Sequence, residues 1–326
     1  MKWGLLSTAN INRKLLAGVR GTDEATVVAV ASRDRSRAEA FAREHGIERA
    51  LGSYEELLED PEVEAIYNPL PNSMHVPWSV QALEAGKHVL CEKPLTRRPA
   101  EAEEAFAVAE RSGRLLMEAF MWRHHPQTRR LRELLDEGVI GRLRLVRASF
   151  SFPLRDPEDI RLNGDLDGGA LMDVGCYCLS GSRFVAGTEP ERVSAEQVLG
   201  GKGVDVALSA TLRFPADVLA QFDCGLAVGH RHELEAIGED GSLYVADPWH
   251  GRSPGIVLTR GGEDETIAIA DANPYSHELE NFARAARGEE PPRLGAEDAL
   301  AQARTIEALY ASAESGRSVA LEGSVA

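Results

Sequence analysis

The sequence predicts an α/β chain: a doubly wound parallel sheet at the N-terminus, then an α+β domain on an open, mostly antiparallel sheet. Three observations predict it. Short apolar runs alternate with helical patterns through the first 120 residues, as they do when helices cover both faces of a parallel sheet. Beyond residue 200, strand-like runs follow one another directly, which fits a sheet with its helices on one side. The chain has 326 residues, and at ~100–200 residues per domain that is two domains. We place them at 1–121 and 122–326.

Taken in order, Trp3 to Ser7 reads as a buried strand and Ile11 to Arg20 as a helix stopped by Gly21. Thr26 to Ala31 is a β-branched strand. A helix follows over Ser36 to Glu44, with Ser36 as N-cap and Gly46 near its end. Ser53-Tyr54-Glu55-Glu56 is a capping box that opens another helix. Then come a strand (Ala65 to Tyr67), a helix (Val76 to Ala85), a strand (Lys87 to Cys91), a helix (Pro99 to Arg111) and a strand (Leu115 to Ala119). Pro126 to Glu137 is a helix, 143–152 alternates like a strand, and a helix should follow Gly168-Gly169. Further strands are expected at 204–214, 217–224, 231–237, 242–246 and 255–259, and late helices at His277 to Arg287 and Ala296 to Ser315. In 204–214, Val204, Val206, Leu208, Ala210, Leu212 and Phe214 should pack on helices. Asp205, Ala207, Ser209, Thr211 and Arg213 form the other face, either solvated or an interface between copies of the chain.

Composition excludes several functions. Lys and Arg number 36 against 52 Asp and Glu, a net charge of −16. Such a chain repels phosphate backbones, and no local basic patch offsets this, so nucleic acid is not expected as a partner. No apolar run approaches the ~18 residues of a membrane span. The apolar stretch at the N-terminus is too short for a signal peptide, which places the protein in the cytoplasm. Cys91, Cys176, Cys178 and Cys224 form no C-x-x-C pair and read as buried reduced thiols.

A parallel sheet that begins at the N-terminus invites a search for the dinucleotide fingerprint G-x-G-x-x-G. Its glycines would fall on Ser7, Ala9 and Asn12, within Ser7-Thr8-Ala9-Asn10-Ile11-Asn12. The motif is therefore degenerate. Ser and Ala are still small enough for a pyrophosphate to approach, and the following helix start offers amide donors and a positive dipole end. After the second strand, where an acid would bind the ribose of NAD, the sequence has Ser32-Arg33, with Arg35 and Arg37 beyond. Arginine there suits a 2′-phosphate, and so NADP over NAD.

The run His88-Val89-Leu90-Cys91-Glu92-Lys93-Pro94 ends a strand where open α/β sheets hold their ligands. Lysine occurs only five times in the chain, so Lys93 is not routine surface decoration; the plainer alternative is an ion pair with an acid. A second cluster is Gly168-Gly169-Ala170-Leu171-Met172-Asp173-Val174-Gly175-Cys176-Tyr177. Asp173 and Tyr177 are four apart and would share a helix face. An ammonium such as Lys93 close to Tyr177 would favour its phenolate and make it a usable general base; a core tyrosine bonded to Asp173 is the plainer alternative. His230-x-His232 lacks a third suitably spaced ligand, so no metal is expected.

Across almost its whole length the sequence resembles the Gfo/Idh/MocA oxidoreductase family. The resemblance rests on Trp3 to Ala9, on Tyr67-Asn68-Pro69-Leu70-Pro71-Asn72-Ser73-Met74-His75, on Ala85 to Pro94 with its Glu-Lys-Pro, and on Gly168 to Tyr177. It implies a Rossmann domain, a C-terminal α/β domain with an open sheet, and nicotinamide-dependent hydride transfer on a sugar such as D-xylose or a related cyclic polyol. The family lysine falls on Lys93. Many members carry Asp-x-x-x-His where this chain has Asp173-x-x-x-Tyr177, which places it nearer the dimeric dihydrodiol dehydrogenases, NADP-dependent D-xylose dehydrogenases and glucose–fructose oxidoreductases. The resemblance makes Lys93, Tyr177 and Asp173 the catalytic set. It lays Pro69, Asn72 and His75 along the cofactor, with Glu92 beside it, and implies a cis Lys93–Pro94 peptide. Trp122 and Arg123 would sit at the mouth of the crevice, near both cofactor and substrate, while Phe150 and Arg161 would reach substrate. Phe150 also suits core packing.

A trans-dihydrodiol or a deoxy-keto sugar is an alternative substrate. A catalytically silent NADP-binding regulatory protein is the alternative of another class; the intact Lys93, Asp173 and Tyr177 set argues against it. A homodimer or tetramer through the C-terminal sheet is expected.

Overall fold

In a computed structural model, which describes residues 1–321, the chain forms two compact units. One comprises 1–124 and 273–300, the other 125–272 and 301 onward.

The first unit runs β1 (Lys2–Leu6), α1 (Asn12–Val19), β2 (Thr26–Ala31), α2 (Arg35–His45), β3 (Arg49–Leu51), α3 (Tyr54–Glu59), β4 (Ala65–Asn68), α4 (His75–Glu84), β5 (His88–Glu92), α5 (Pro99–Ser112) and β6 (Leu116–Ala119). Every strand pair is parallel, in the order β3-β2-β1-β4-β5-β6. That is the Rossmann order, with its switch point between β1 and β4 and its ligand crevice beyond their C-terminal ends. The central strands are buried on both faces, which is why they read as unbroken apolar runs. The short strand β3, with only three residues, was not expected. The cap of α2 also differs from the sequence reading. Asp34, not Ser36, is the N-cap, and its carboxylate accepts the Ser36 amide at 2.9 Å. The Ser53 cap holds as expected, with its hydroxyl accepting the Glu56 amide at 3.1 Å.

The second unit runs α6 (Pro126–Asp136), β7 (Leu143–Ser151), α7 (Cys176–Ala186), β8 (Arg192–Leu199), β9 (Asp205–Arg213), β10 (Leu219–Gly225), β11 (Arg231–Gly238), β12 (Gly241–Val245), β13 (Gly255–Arg260) and β14 (Glu263–Ala268). The chain closes with α8 (Pro274–Ala286), which belongs to the first unit, then α9 (Ala296–Ser315) and β15 (Val319–Ala320). The nine-stranded sheet has the order β14-β13-β12-β11-β7-β10-β9-β8-β15. It is antiparallel except for the β7–β10 pair.

Three of its strands, β8, β14 and β15, were not expected. β8 carries Ala195 and Glu196, poor strand formers, at its centre, and β15 has only two residues. β14 is an edge strand whose charges hide any alternation. The helix expected after Gly169 starts as a π turn over Leu171–Gly175 before α7 continues it. Asp205 corrects the two-faced reading of 204–214. It is 2% exposed, and the β8–β9 register slips opposite it. From Leu208 to Phe214 the alternation holds.

In the first unit, Trp3 packs on Phe282 of α8 at 4.8 Å between ring centroids. Ser276 donates to the Gly18 carbonyl at 2.8 Å, and a Cβ on Gly18 would strike the Tyr275 backbone. In the second unit, Trp249 is fully buried and donates its Nε1–H to the Ser149 carbonyl at 2.9 Å. The four cysteines are buried and form no disulfide. Among the described residues no helix is long and apolar enough to cross a membrane.

Candidate functional site

The first unit gathers chemistry at the C-terminal ends of its strands. After β1, Ser7 turns the chain with φ 106°, a conformation that favours glycine. It therefore adopts the backbone that the first fingerprint glycine would supply. Its amide donates to the Ala31 carbonyl at 3.1 Å, and its own hydroxyl accepts the Ala9 amide at 3.3 Å. Asn12, at the place of the last glycine, donates Nδ2–H to the Ser7 carbonyl at 2.7 Å. Side-chain bonds thus hold a turn that glycines usually make. Asn12 is fully buried, and its Oδ1 has no hydrogen-bond partner. Thr8, Ala9 and Ile11 are half-buried, and no side chain caps α1. An uncapped helix start, small residues and an orphaned amide oxygen fit a dinucleotide pyrophosphate.

At the end of β2, Ser32 is buried and its hydroxyl accepts the Asp34 amide at 3.2 Å. Arg33 is exposed, and its guanidinium acts on the Tyr54 hydroxyl, which burial raises. Arg37 is exposed and lies 3.7 Å from Asp34. The sequence reading passed over the acid Asp34. Its carboxylate takes both the amide and the hydroxyl of Ser36, the latter at 2.6 Å, so it caps α2. Two arginines and a serine at this place suit a 2′-phosphate.

Beyond β4, Asn68 is buried and donates to the His75 carbonyl at 3.0 Å. The His75 ring lies between two carbonyl oxygens, Nδ1 at 2.8 Å from Pro94 and Nε2 at 2.8 Å from Leu70. It braces the loop of Pro69, which is buried, and Asn72, which is half-buried, against the Lys93–Pro94 turn. The Lys93–Pro94 peptide is cis. Glu92 accepts the Tyr67 hydroxyl on one oxygen and the Lys93 amide on the other, at 3.3 Å. Burial raises the Tyr67 hydroxyl well above its ordinary range, and Glu92 adds to this.

A second acid shares this region. Glu278 of α8 is 1% exposed, and its Oε1 has no partner. Burial, then the Glu92 charge, push its carboxyl well above the ordinary range. Sequence reasoning missed it, although a carboxylate one turn from Phe282 on the buried stripe of Leu279, Phe282 and Ala283 is a visible signal. Trp122 is 1% exposed in a 3₁₀ turn over Met121–His124. Arg123 lies over its ring and 3.5 Å from Asp298.

In the second unit, Gly168 and Gly169 lead into the π turn. A Cβ on Gly169 would strike the Asp205 carboxylate. Asp205 accepts the Leu171 amide at 2.7 Å and the Tyr310 hydroxyl at 2.9 Å. Glycine is thus required where a buried carboxylate anchors the segment that carries Asp173. Arg161 Nε lies 2.9 Å from Asp173 Oδ2, and its NH1 lies 3.0 Å from Asp159. Asp173 foremost holds the guanidinium above its ordinary range.

Tyr177, in the first turn of α7, is 9% exposed. Its ring meets Phe150 edge-on at 5.4 Å and Trp249 at 6.0 Å. Phe150 is the hub of this group. It also touches His232 at 5.0 Å, His250 at 5.6 Å and Phe152 at 6.4 Å, and Arg161 covers Phe152. The sequence reading left His232 aside because no third ligand was suitably spaced for a metal; the sheet brings His250 to it. Among the described residues no group of three or more His, Cys, Asp or Glu is placed to hold a metal ion.

A model described as "Oxidoreductase family, NAD-binding Rossmann fold" matches residues 1–120, and one for the GFO/IDH/MocA C-terminal domain matches residues 128–244. The chain belongs to the Gfo/Idh/MocA oxidoreductase family. Within that family it is 39% identical to a D-xylose 1-dehydrogenase (NADP(+)) of Haloferax volcanii, over 99% of this chain and 100% of the relative. It is 35% identical to a trans-1,2-dihydrobenzene-1,2-diol dehydrogenase of Danio rerio, over 81% and 79% of the two chains. A crystal structure of a 3-ketoreductase from Actinomadura kijaniata with NADP and TDP-benzene matches with a TM-score of 0.89. The two are 36% identical, with 96% of this chain and 97% of that one covered. Gfo/Idh/MocA membership was thus legible from the motifs alone.

Proposed function

We propose that this chain is an NADP-dependent oxidoreductase that interconverts a hydroxyl and a carbonyl on a sugar or related cyclic polyol. Tyr177, Lys93 and Asp173 are its reacting-centre residues. One observation carries the cofactor choice: β2 ends in Ser32, Arg33 and Arg37, while the acid between the two arginines, Asp34, caps α2. The substrate class is supported by relatives over the full length, a D-xylose 1-dehydrogenase among them.

Ser7 to Asn12 hold the pyrophosphate, and Arg33 and Arg37 with Ser32 hold the 2′-phosphate. The nicotinamide, when bound, supplies the hydride acceptor or donor. Tyr177 takes the proton of the substrate hydroxyl in oxidation and returns it in reduction. The Lys93 ammonium stabilises negative charge on the substrate oxygen, and charge placed in this way is often the largest catalytic term. Asp173, fixed by Arg161, orients the substrate.

The test is steady-state reduction of NADP and of NAD with D-xylose, D-glucose and trans-1,2-dihydrobenzene-1,2-diol. NADP-linked turnover of a sugar is expected. Tight NADP binding without turnover of any of the three would favour the silent regulatory reading.

We also infer that copies of the chain associate through the outer face of the nine-stranded sheet. That face carries Arg231 paired with Asp223 at 3.2 Å and with Glu233, around a shallow groove of about 520 Å³. Sedimentation at micromolar concentration should give a dimer or tetramer, and Arg231→Glu should weaken it. Four buried cysteines outside any disulfide suit a reducing compartment, and we assign the cytoplasm.

A further inference from the structure

Tyr177, Phe150 and Trp249 leave two neighbours that the proposed reaction does not use. His232 stands on β11 and His250 in the loop between β12 and β13. Their rings meet edge-on at 5.7 Å, and Phe150 touches both. His230 stacks on His232 at 6.2 Å.

The two rings differ in what their Nδ1 atoms face. His232 Nδ1 is buried and has no hydrogen-bond partner. A buried orphan N–H costs more than a buried lone pair, so the proton sits on Nε2, which is a donor. The His250 Nδ1 also has no hydrogen-bond partner, but it faces the Asp247 carboxylate 3.6 Å away. That negative charge favours the proton on Nδ1 and leaves Nε2 as an acceptor. Asp247 stays ionised: against burial, which raises it, the His250 ring beside it and the amides of Arg252 and His250 hold it down to about 2. Burial foremost keeps His232 below its ordinary value, so it is neutral at physiological pH.

We propose that His232 and His250 are specificity-determining residues that read ring hydroxyls of a polyhydroxylated substrate, a sugar rather than a benzene-derived diol. A hydroxyl both donates and accepts, so one donor and one acceptor on neighbouring rings match adjacent hydroxyls of a sugar. A benzene-derived diol has no hydroxyls beyond those at the reacting end, and gains nothing from the pair. The inference rests on the placement of substrate beside Tyr177.

The experiment measures D-xylose and trans-1,2-dihydrobenzene-1,2-diol binding by calorimetry to the NADP-saturated full chain carrying Tyr177→Phe, alone and with His232→Leu, His232→Gln or His250→Leu. Each leucine variant should raise the Kd for D-xylose about tenfold, the loss of one good hydrogen bond. The Kd for NADP and the Kd for the diol should hold within about threefold. His232→Gln, which keeps an N–H donor, should recover most of the loss. Equal losses on sugar and diol, an unchanged D-xylose Kd, or no D-xylose binding to the parent would each overturn the assignment. Undiminished turnover by the Tyr177→Phe parent would instead overturn the role given to Tyr177, and the binding ratios would still decide the histidines.

Discussion

The two units carry their chemistry in different ways. In the first, each functional group follows one strand of a parallel sheet: Ser7 to Asn12 after β1, Ser32 to Arg37 after β2, Asn68 to His75 after β4, Glu92 to Pro94 after β5. Neighbours in sequence are neighbours in the site. In the second, the surroundings of Tyr177 come from β7, β11 and the loop after β12, and Trp249 bonds a carbonyl a hundred residues earlier in the chain. Sheet register, not sequence spacing, assembles that wall. A cofactor shared by many enzymes is met by a local code, and a particular substrate by tertiary placement.

If this contrast is right, the largest effects come from single atoms at the reacting centre. Tyr177→Phe should lower kcat by roughly 10²–10⁴, the usual cost of a lost acid–base group, with NADP affinity unchanged. Lys93→Met should cost more than Asp173→Asn, because it removes the stabilising charge itself. The opposite order would mean that the charge is misassigned. Next in size, Arg33→Ala should weaken NADP about 10–100-fold, the worth of one or two charge-assisted bonds, and leave NAD binding unchanged. An equal loss for both cofactors would remove Arg33 from the 2′-phosphate site.

The same contrast explains what the sequence revealed. The strands and helices of the first unit were legible because buried parallel strands are continuous apolar runs bounded by caps and glycines. The cofactor turn was legible in place but not in mechanism, since nothing in Ser7-x-x-x-x-Asn12 announces that Asn12 ties the Ser7 carbonyl. Asp34 was missed because the arginines on either side drew the reading to charge rather than to capping. In the second unit, Tyr177 and Asp173 were legible as a motif, and the winding was not, because a π turn leaves no periodic signature. His250 was invisible, since only the β7–β11 pairing brings His232 to Phe150 and so to its partner.

Asp205 sharpens the comparison from the second unit. Its carboxylate closes two bonds, to the Leu171 amide and the Tyr310 hydroxyl. Asp205→Ala takes the acceptor from the buried Leu171 amide, which should cost about 1–3 kcal/mol. Equilibrium denaturation checks this, and Asp205→Asn, which keeps an acceptor, should lose less. A loss below about 1 kcal/mol would mean that the anchor is replaceable by water.

The smallest effect is expected in the first unit, where the buried charge lies. Glu278 and Glu92 are two acids with one region to share, and Glu278 is the one whose carboxyl is pushed well above its ordinary 4.5. The unfolded chain gives up that proton near 4.5, while the folded chain keeps it to higher pH. The folded state therefore holds more protons, and stability falls as pH rises from about 4.5 until the folded carboxyl ionises. Glu278→Gln has no proton to lose. Its melting temperature relative to the native chain should be flat below pH 4.5 and climb steadily above it. Parallel melting curves across pH 4 to 9 would show that Glu278 ionises as freely folded as unfolded.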